Sequence, residues 1–173
     1  MQPNSFNYCP SCGEKQFALH GAKEYRCGAC NYRYFHNVAA AVSAVVVCKG
    51  ELMLAKRAFD PQAGLFDFPG GFVDYDESIE EALLRELQEE LQWQPDLSLV
   101  KYWFSSYNTY DFAKVQYKTS DLFFLIEIDQ KPTITVQDDV EEIIWLPLAE
   151  ISHQQLAFDN VVQAVEKLKS LSN

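Results

Sequence analysis

Glu86, Glu89 and Glu90 bring three carboxylates into one five-residue window. On a helix advancing about 100° per residue they fall within roughly 100° of one another. Hard oxygens grouped this way suit Mg²⁺ or Mn²⁺, and Mg²⁺ held by few carboxylates keeps waters and recruits substrate phosphates. A merely solvated acidic face is the competing reading. A second constellation, "CPSCG" and "CGAC", pairs Cys9 with Cys12 and Cys27 with Cys30 as two C-x2-C knuckles, fourteen residues apart. Four thiolates at that spacing complete the closed tetrahedral shell of structural zinc. A closed shell has no open position, so this ion is structural. Disulfide pairs are the alternative, which a reducing compartment disfavours.

The acidic helix has recognisable boundaries. Ser78 with Glu81 forms a capping box that starts it, and Pro95 is expected to stop it. Leu83, Leu84, Leu87 and Leu91 share the core-facing flank, while Glu81, Gln88 and Gln92 face water. The one cation in the segment, Arg85, is spaced to pair with Glu81 and Glu89. That leaves Glu86 and Glu90 uncompensated within the helix, and like charges so close raise each other's pKa. The preceding "FPGGF" can bend tightly and bring backbone oxygens against the helix.

The flanking elements read as a single α/β domain after a small appendage, 1–37 and 38–173. "VAAAVSAVVVC" is an uninterrupted apolar, β-branched strand. "KG" turns it into the strand "ELMLAKRA". "LSLVKYWFSSYNTY" and "VQYKTSDLFFLIEI" form a long antiparallel pair, and "VEEIIWLPL" a short strand. "DNVVQAVEKLKSL" is an amphipathic helix, apolar at Val161, Val162, Val165, Leu168 and Leu171. Cys48 falls in an apolar run and reads as a buried thiol. His20, His36 and His153 stand apart in sequence and read as surface or turn residues.

Charge narrows the partners. The net charge is −11. Residues 1–37 carry four Lys/Arg against two Asp/Glu, and the rest ten against twenty-three, a balance of −13. Such a domain repels nucleic-acid backbones, and handling an anionic substrate calls for a metal or a focused cationic pocket. No run of about 18 apolar residues is present to cross a membrane, and the first ten residues do not read as a secretory leader. A cytoplasmic address is the default expectation.

The segment Gly71–Trp93, "GFVDYDESIEEALLRELQEELQW", resembles the Nudix box, G-x5-E-x7-R-E-U-x-E-E-x-G-U, with U a bulky aliphatic. The matches are Gly71, Glu77, Arg85, Glu86, Leu87, Glu89 and Glu90; Gln92 and Trp93 replace the last glycine and aliphatic. The resemblance spans Val38–Leu171 and implies a Nudix α/β/α sandwich with a mixed sheet, preceded by the zinc ribbon. It implies Mg²⁺-dependent hydrolysis of a nucleoside diphosphate linked to another moiety. Glu86, Glu89, Glu90 and the Gly71 carbonyl would hold Mg²⁺ (or Mn²⁺), with Arg85 and Glu77 stabilising the loop–helix unit. A ribbon directly before such a domain resembles the NADH pyrophosphatase group. That group's Ser-Gln-Pro-Trp-Pro-Phe-Pro tract is not matched beyond Ser105 and Ser106. Family members often pair as homodimers, which becomes an expectation here.

Further site candidates follow from position. Glu90, or Glu141 and Glu142 of "DDVEEIIW", could supply the base. Glu142 matches a position where many family members carry an acid. Arg57 is a candidate phosphate clamp, and Phe66, Tyr107 and Tyr110 are candidates for stacking on a base. The alternatives are a non-catalytic nucleotide sensor on the same fold and a zinc-ribbon nucleic-acid adaptor.

Overall fold

A computed structural model describes residues 6–112 and 115–171, so the outer ends of both expected segments, 1–5 and 172–173, lie outside the described residues. The chain divides into two compact units. The first runs to Ala39 and includes Thr109–Lys118; the second comprises Ala40–Asn108 and Thr119–Asn173. In the first unit, β1 (Phe17–His20), β2 (Glu24–Cys27) and β3 (Arg33–Phe35) form an antiparallel sheet. Among the described residues its core is Cys9, Phe17, Tyr25 and Cys27, with Phe6, Leu19 and Tyr34 packed around them. The His36 ring lies among Phe6, Tyr34 and Tyr117, so it is an aromatic-cluster residue.

The remaining elements are β4 (Ala39–Cys48), β5 (Glu51–Arg57), β6 (Phe66–Asp67), α1 (Ile79–Leu91), β7 (Val100–Phe112), β8 (Val115–Ile128), β9 (Val140–Pro147) and α2 (Asp159–Leu171); all lie in the second unit except Ala39 of β4 and the parts of β7 and β8 within Thr109–Lys118. The sheet order is β6-β5-β4-β8-β7, with β9 paired to β5. One face carries α1 over Val42, Ala44, Val46, Met53, Phe124 and Ile126. The other carries α2 over Val45, Leu52, Leu54 and Phe123. Both faces of β4 are therefore buried, which is why its apolar run has no polar alternation. The architecture is the expected α/β/α sandwich. Cys48 is buried, as expected of that run.

The β4–β5 hairpin turns at Lys49 and Gly50, both with positive φ, and pairs only Val47 with Leu52 and Cys48 with Glu51. β5 then runs along β9, from Glu51 opposite Pro147 to Arg57 opposite Val140. Upstream on β4, the segment after β6 takes the vacated edge: Ala44 N–H donates to the Pro69 carbonyl (2.8 Å) and Val42 N–H to the Gly71 carbonyl (2.8 Å). This substitution presses the two-glycine turn against the sheet. Gly70 has φ +141°, and a Cβ there would lie 2.1 Å from the Val42 carbonyl oxygen, so no other residue fits.

Some boundaries differ from expectation. Leu97–Leu99 forms a 3₁₀ turn capped by Asp96, and β7 begins only at Val100. Leu171 is exposed, while Asn160 and Ala164 join the buried side of α2. Helix α1 does not run on to Pro95. It stops at Gln92, whose φ of 50° and ψ of 36° are left-handed, with Gln92 and Trp93 N–H donating to the Gln88 and Leu87 carbonyls. Glycine is the favoured residue in that conformation, since a Cβ meets the following carbonyl. Gln92→Gly is expected to stabilise the protein by about 1 kcal/mol, the relief being partly offset by greater unfolded-state freedom. Equilibrium denaturation of the two proteins checks the sign; a destabilised variant contradicts the strain assignment.

Candidate active site

Helix α1 starts as expected: Glu81 N–H donates to Ser78 Oγ (3.2 Å) and Ser78 N–H to Glu81 Oε2 (2.7 Å). Glu81 is thereby committed to the cap and is not the partner of Arg85. Arg85 instead forks onto Glu77, with Nη2 donating to Oε1 (2.7 Å) and Nε to Oε2 (3.0 Å). Its Nη2 also reaches the Phe72 carbonyl (3.0 Å), and its Nη1 donates to Glu86 (2.9 Å) and Glu89 (3.0 Å). One bidentate guanidinium thus ties the glycine turn, the Glu77 loop and the helix into one body. Glu86 is compensated after all, because the side chain turns inward toward its sequence neighbour.

Glu90 is the carboxylate left to the backbone. It is 7 % exposed, and its Oε2 accepts from Gly70 N–H (2.9 Å). Burial pushes its pKa well up; the Gly70 N–H opposes this, and Glu86, Asp67 and Asp139 reinforce it. Burial also raises Glu86, with Arg85 opposing and Glu89 and Asp138 adding to the rise. Glu89 is the exposed member. The three predicted glutamates therefore form a graded set: one buried, one half-buried beneath Arg85, one open to water.

Gly71 lies directly against this set. A Cβ on it would come 2.4 Å from Glu86 Oε1, so the absence of a side chain makes room for that carboxylate. Its carbonyl, the expected ligand, accepts from Val42 N–H and retains a second lone pair. Gly71→Ala should displace the flexible end of Glu86 and leave the backbone intact. Turnover is expected to fall about 10- to 100-fold, the scale of disturbing a ligand's support, with an unchanged melting temperature. Unaltered turnover contradicts this.

Two acids near the patch were not singled out from sequence. Thr135 and Gln137 N–H donate to the Leu91 (3.0 Å) and Glu90 (2.8 Å) carbonyls, capping the last turn of α1. This strap carries Asp138 and Asp139, whose charges add to the upward push on Glu86 and Glu90 respectively. The run "DDVEE" signals acidity, but which of its carboxylates faces the helix depends on the β5–β9 register. Glu141 pairs with Lys56 (2.8 Å), and Glu142 is exposed opposite Lys56 in that register.

The remaining candidates are scattered. Arg57 Nε donates to the Pro61 carbonyl (2.8 Å), its Nη1 to Asp67 (3.2 Å), and its guanidinium lies over the Phe158 ring. Phe66 lies on β6 and packs against the α2-side core. Tyr107 is 82 % exposed in the second unit, whereas Tyr110 belongs to the first. On the α2 side, Asn160 bonds Asp121, and Asp121 Oδ1 and Thr119 Oγ1 are buried without a hydrogen-bond partner among the described residues.

In the first unit the four predicted cysteines do converge. Their sulfurs lie within 4.8 Å of one another, with Cys9–Cys30 and Cys12–Cys27 both at 3.7 Å. Four sulfurs about 2.3 Å from a central Zn²⁺ would be separated by about 3.8 Å. All five cysteines are unbridged, so the disulfide alternative is not realised. The two knuckles repeat one geometry: Gly13 N–H donates to the Cys9 carbonyl and Asn31 N–H to that of Cys27, with left-handed φ of 77° and 62°. Glycine and asparagine are the residues that tolerate this conformation. The N–H of Cys30 and of Ala29 hold the Cys27 thiol down at about 7.

The NUDIX domain model matches residues 36–165. An ADP-ribose pyrophosphatase of Methanocaldococcus jannaschii is 32 % identical over 129 residues, 75 % of this chain and 72 % of that protein. An NAD-capped RNA hydrolase NudC of Stutzerimonas stutzeri is 31 % identical over 85 residues, 49 % of this chain but only 30 % of that longer protein. Among solved structures, the NUDIX domain of Shewanella oneidensis NrtR, complexed with ADP ribose, superposes with a TM-score of 0.66 at 26 % identity, covering 80 % of this chain and 91 % of that one. With the glycine turn, the Arg85 fork and the graded glutamates in place, the chain belongs to the NUDIX domain family, among the Nudix hydrolases.

Proposed function

We propose that the chain hydrolyses the diphosphate bridge of a nucleoside diphosphate derivative of the ADP-ribose or NAD type, using Mg²⁺ or Mn²⁺. The observation that carries this reading is Glu90, a buried carboxylate anchored by one backbone N–H beside Glu86, Asp67 and Asp139. So much negative charge, partly out of water, opposes the approach of a diphosphate unless a cation stands between them. Carboxylate oxygens without nitrogen or sulfur fit a hard divalent ion. Glu86, Glu89 and Glu90 would hold it, with the free lone pair of the Gly71 carbonyl. Bound there, the ion neutralises phosphate charge and lowers the pKa of attacking water.

The chain's own groups have distinct tasks. Arg85 keeps Glu86 and Glu89 in register with the turn. Glu90, fixed by Gly70, is suited to holding and poorly suited to shuttling protons. An exposed acid, Glu89 or one of Asp138, Asp139 and Glu142, orients the water. Arg57 is braced by Asp67 and reaches phosphate only by exchanging partners. The four cysteines hold structural Zn²⁺. Unbridged thiols fit a cytoplasmic protein, and no helix among the described residues is long and apolar enough to cross a membrane. The charge of residues 38–173 favours a free nucleotide over a nucleic-acid chain.

Purified protein with Mg²⁺ is assayed against ADP-ribose, NADH, FAD and dinucleoside polyphosphates. Release of a nucleoside monophosphate from at least one, lost in Glu89→Gln, is the expected result. No turnover of any of them refutes the proposal. Tight ADP-ribose binding without turnover would instead point to the sensor reading.

A further inference from the structure

Phe59 is a large apolar side chain, 62 % exposed, at the head of the Asp60–Leu65 loop. Exposure on a flexible loop would mean little, but this loop is held on both sides. Arg57 Nε bonds the Pro61 carbonyl (2.8 Å), and Gly64 N–H bonds the Arg57 carbonyl (2.9 Å). On the other side, Ala58 N–H donates to the Asp139 carbonyl (2.9 Å), while Gln137 N–H donates to the Glu90 carbonyl (2.8 Å). The three-residue strap Gln137–Asp139 thus joins the end of α1 directly to the residue before Phe59. Phe59 therefore directly follows the residue whose N–H bonds a strap that carries two acids near the candidate glutamates. The Gln137 bond is to Glu90's own carbonyl, so the strap and the buried glutamate share one locality.

We infer that Phe59 is a specificity-determining residue: its ring is the platform on which the nucleobase of the substrate stacks while the diphosphate lies at the glutamates. A solvent-facing aromatic ring on an anchored loop leaves apolar area uncovered until a flat ligand arrives. Every nucleobase has a π-face, so stacking supplies affinity without a hydrogen-bond code. Phe66 differs in that its ring packs against the core beneath α2. This inference rests on the proposed nucleotide chemistry of the same site and adds the group that grips the base.

The test compares ADP-ribose with its abasic analogue, a diphosphate bridging two riboses, using wild type, Phe59→Ala and Phe59→Trp, with Mg²⁺ present. The ring is exposed, so its removal leaves the fold intact, and thermal melts confirm this. Phe59→Ala is expected to raise KM for ADP-ribose about 10-fold or more, to leave kcat within a few-fold, and to leave the abasic substrate unaffected; Phe59→Trp restores KM. Equal KM for ADP-ribose in wild type and Phe59→Ala overturns the inference, as does an equal loss on the abasic substrate. If wild type turns over neither compound, the hydrolase proposal fails separately. Equilibrium binding of AMP then decides the platform: a weakened Phe59→Ala supports it, and unchanged affinity overturns it.

Discussion

Glu90→Gln is expected to lower turnover by at least about 10²-fold and, in the metal-free protein at pH 7, to leave the fold as stable as wild type or more so. The first effect follows from the proposed ligand role. Disturbing groups that merely orient a metal ligand costs about 10- to 100-fold, and removing a ligand's charge should cost no less. The second follows from burial. Glu90 lies 7 % exposed, beside Glu86 and near Asp67 and Asp139, and its hydrogen bond comes from a neutral N–H. Ionising it there without a counterion is costly. Glutamine keeps the shape and can still accept from Gly70. With Mg²⁺ present the order should reverse, because wild type gains binding energy that the variant lacks. Thermal melts with and without Mg²⁺, beside kinetic assays, check both halves. A variant that is active, or equally destabilised in both conditions, contradicts the assignment.

Removing the zinc proposed for the four cysteines is expected to unfold the first unit and leave the second standing. Of the four core residues described in that unit, two, Cys9 and Cys27, are proposed zinc ligands, and the other two are Phe17 and Tyr25. So small a core cannot offset the ordering entropy of three strands. Structural zinc in small domains supplies about 10–16 kcal/mol of apparent binding energy at pH 7. Chelation should release about one Zn²⁺ per chain and abolish hydrogen-exchange protection in β1–β3. The amides of β4, β5 and α1 should keep theirs, since their core is built from Leu, Val, Ile and Phe on both faces of the sheet. Equal protection in β1–β3 with and without the metal contradicts a zinc-dependent fold.

What could be read from sequence was what local periodicity determines. The stripes of α1 needed only the 100° rotation per residue: Leu83, Leu87 and Leu91 are buried, and Glu81, Gln88 and Gln92 are exposed. The cysteine knuckles needed only spacing. Long-range geometry was not legible. Arg85 was matched to Glu81 and Glu89 by helical spacing, yet its strongest partner is Glu77, which lies outside the helix and is brought back by the loop. Asp138 and Asp139 reach the site because a strap caps α1 through backbone bonds, which any sequence could make. Phe59 and Phe66 look equivalent on paper. They separate only once β6 pairs with β5 and draws Phe66 beneath α2. Proline chemistry points to Pro95 as the helix stop, whereas the left-handed residue that ends the helix is Gln92, at the position of the box glycine.

The most direct test of the account is calorimetric titration of zinc-loaded protein with Mg²⁺, comparing wild type with the Glu86→Gln, Glu90→Gln double variant. Saturable uptake by wild type that vanishes in the double variant, together with its hydrolytic activity, is the predicted result. Uptake of Mg²⁺ that is equal in the two proteins, or absent from wild type, would contradict it.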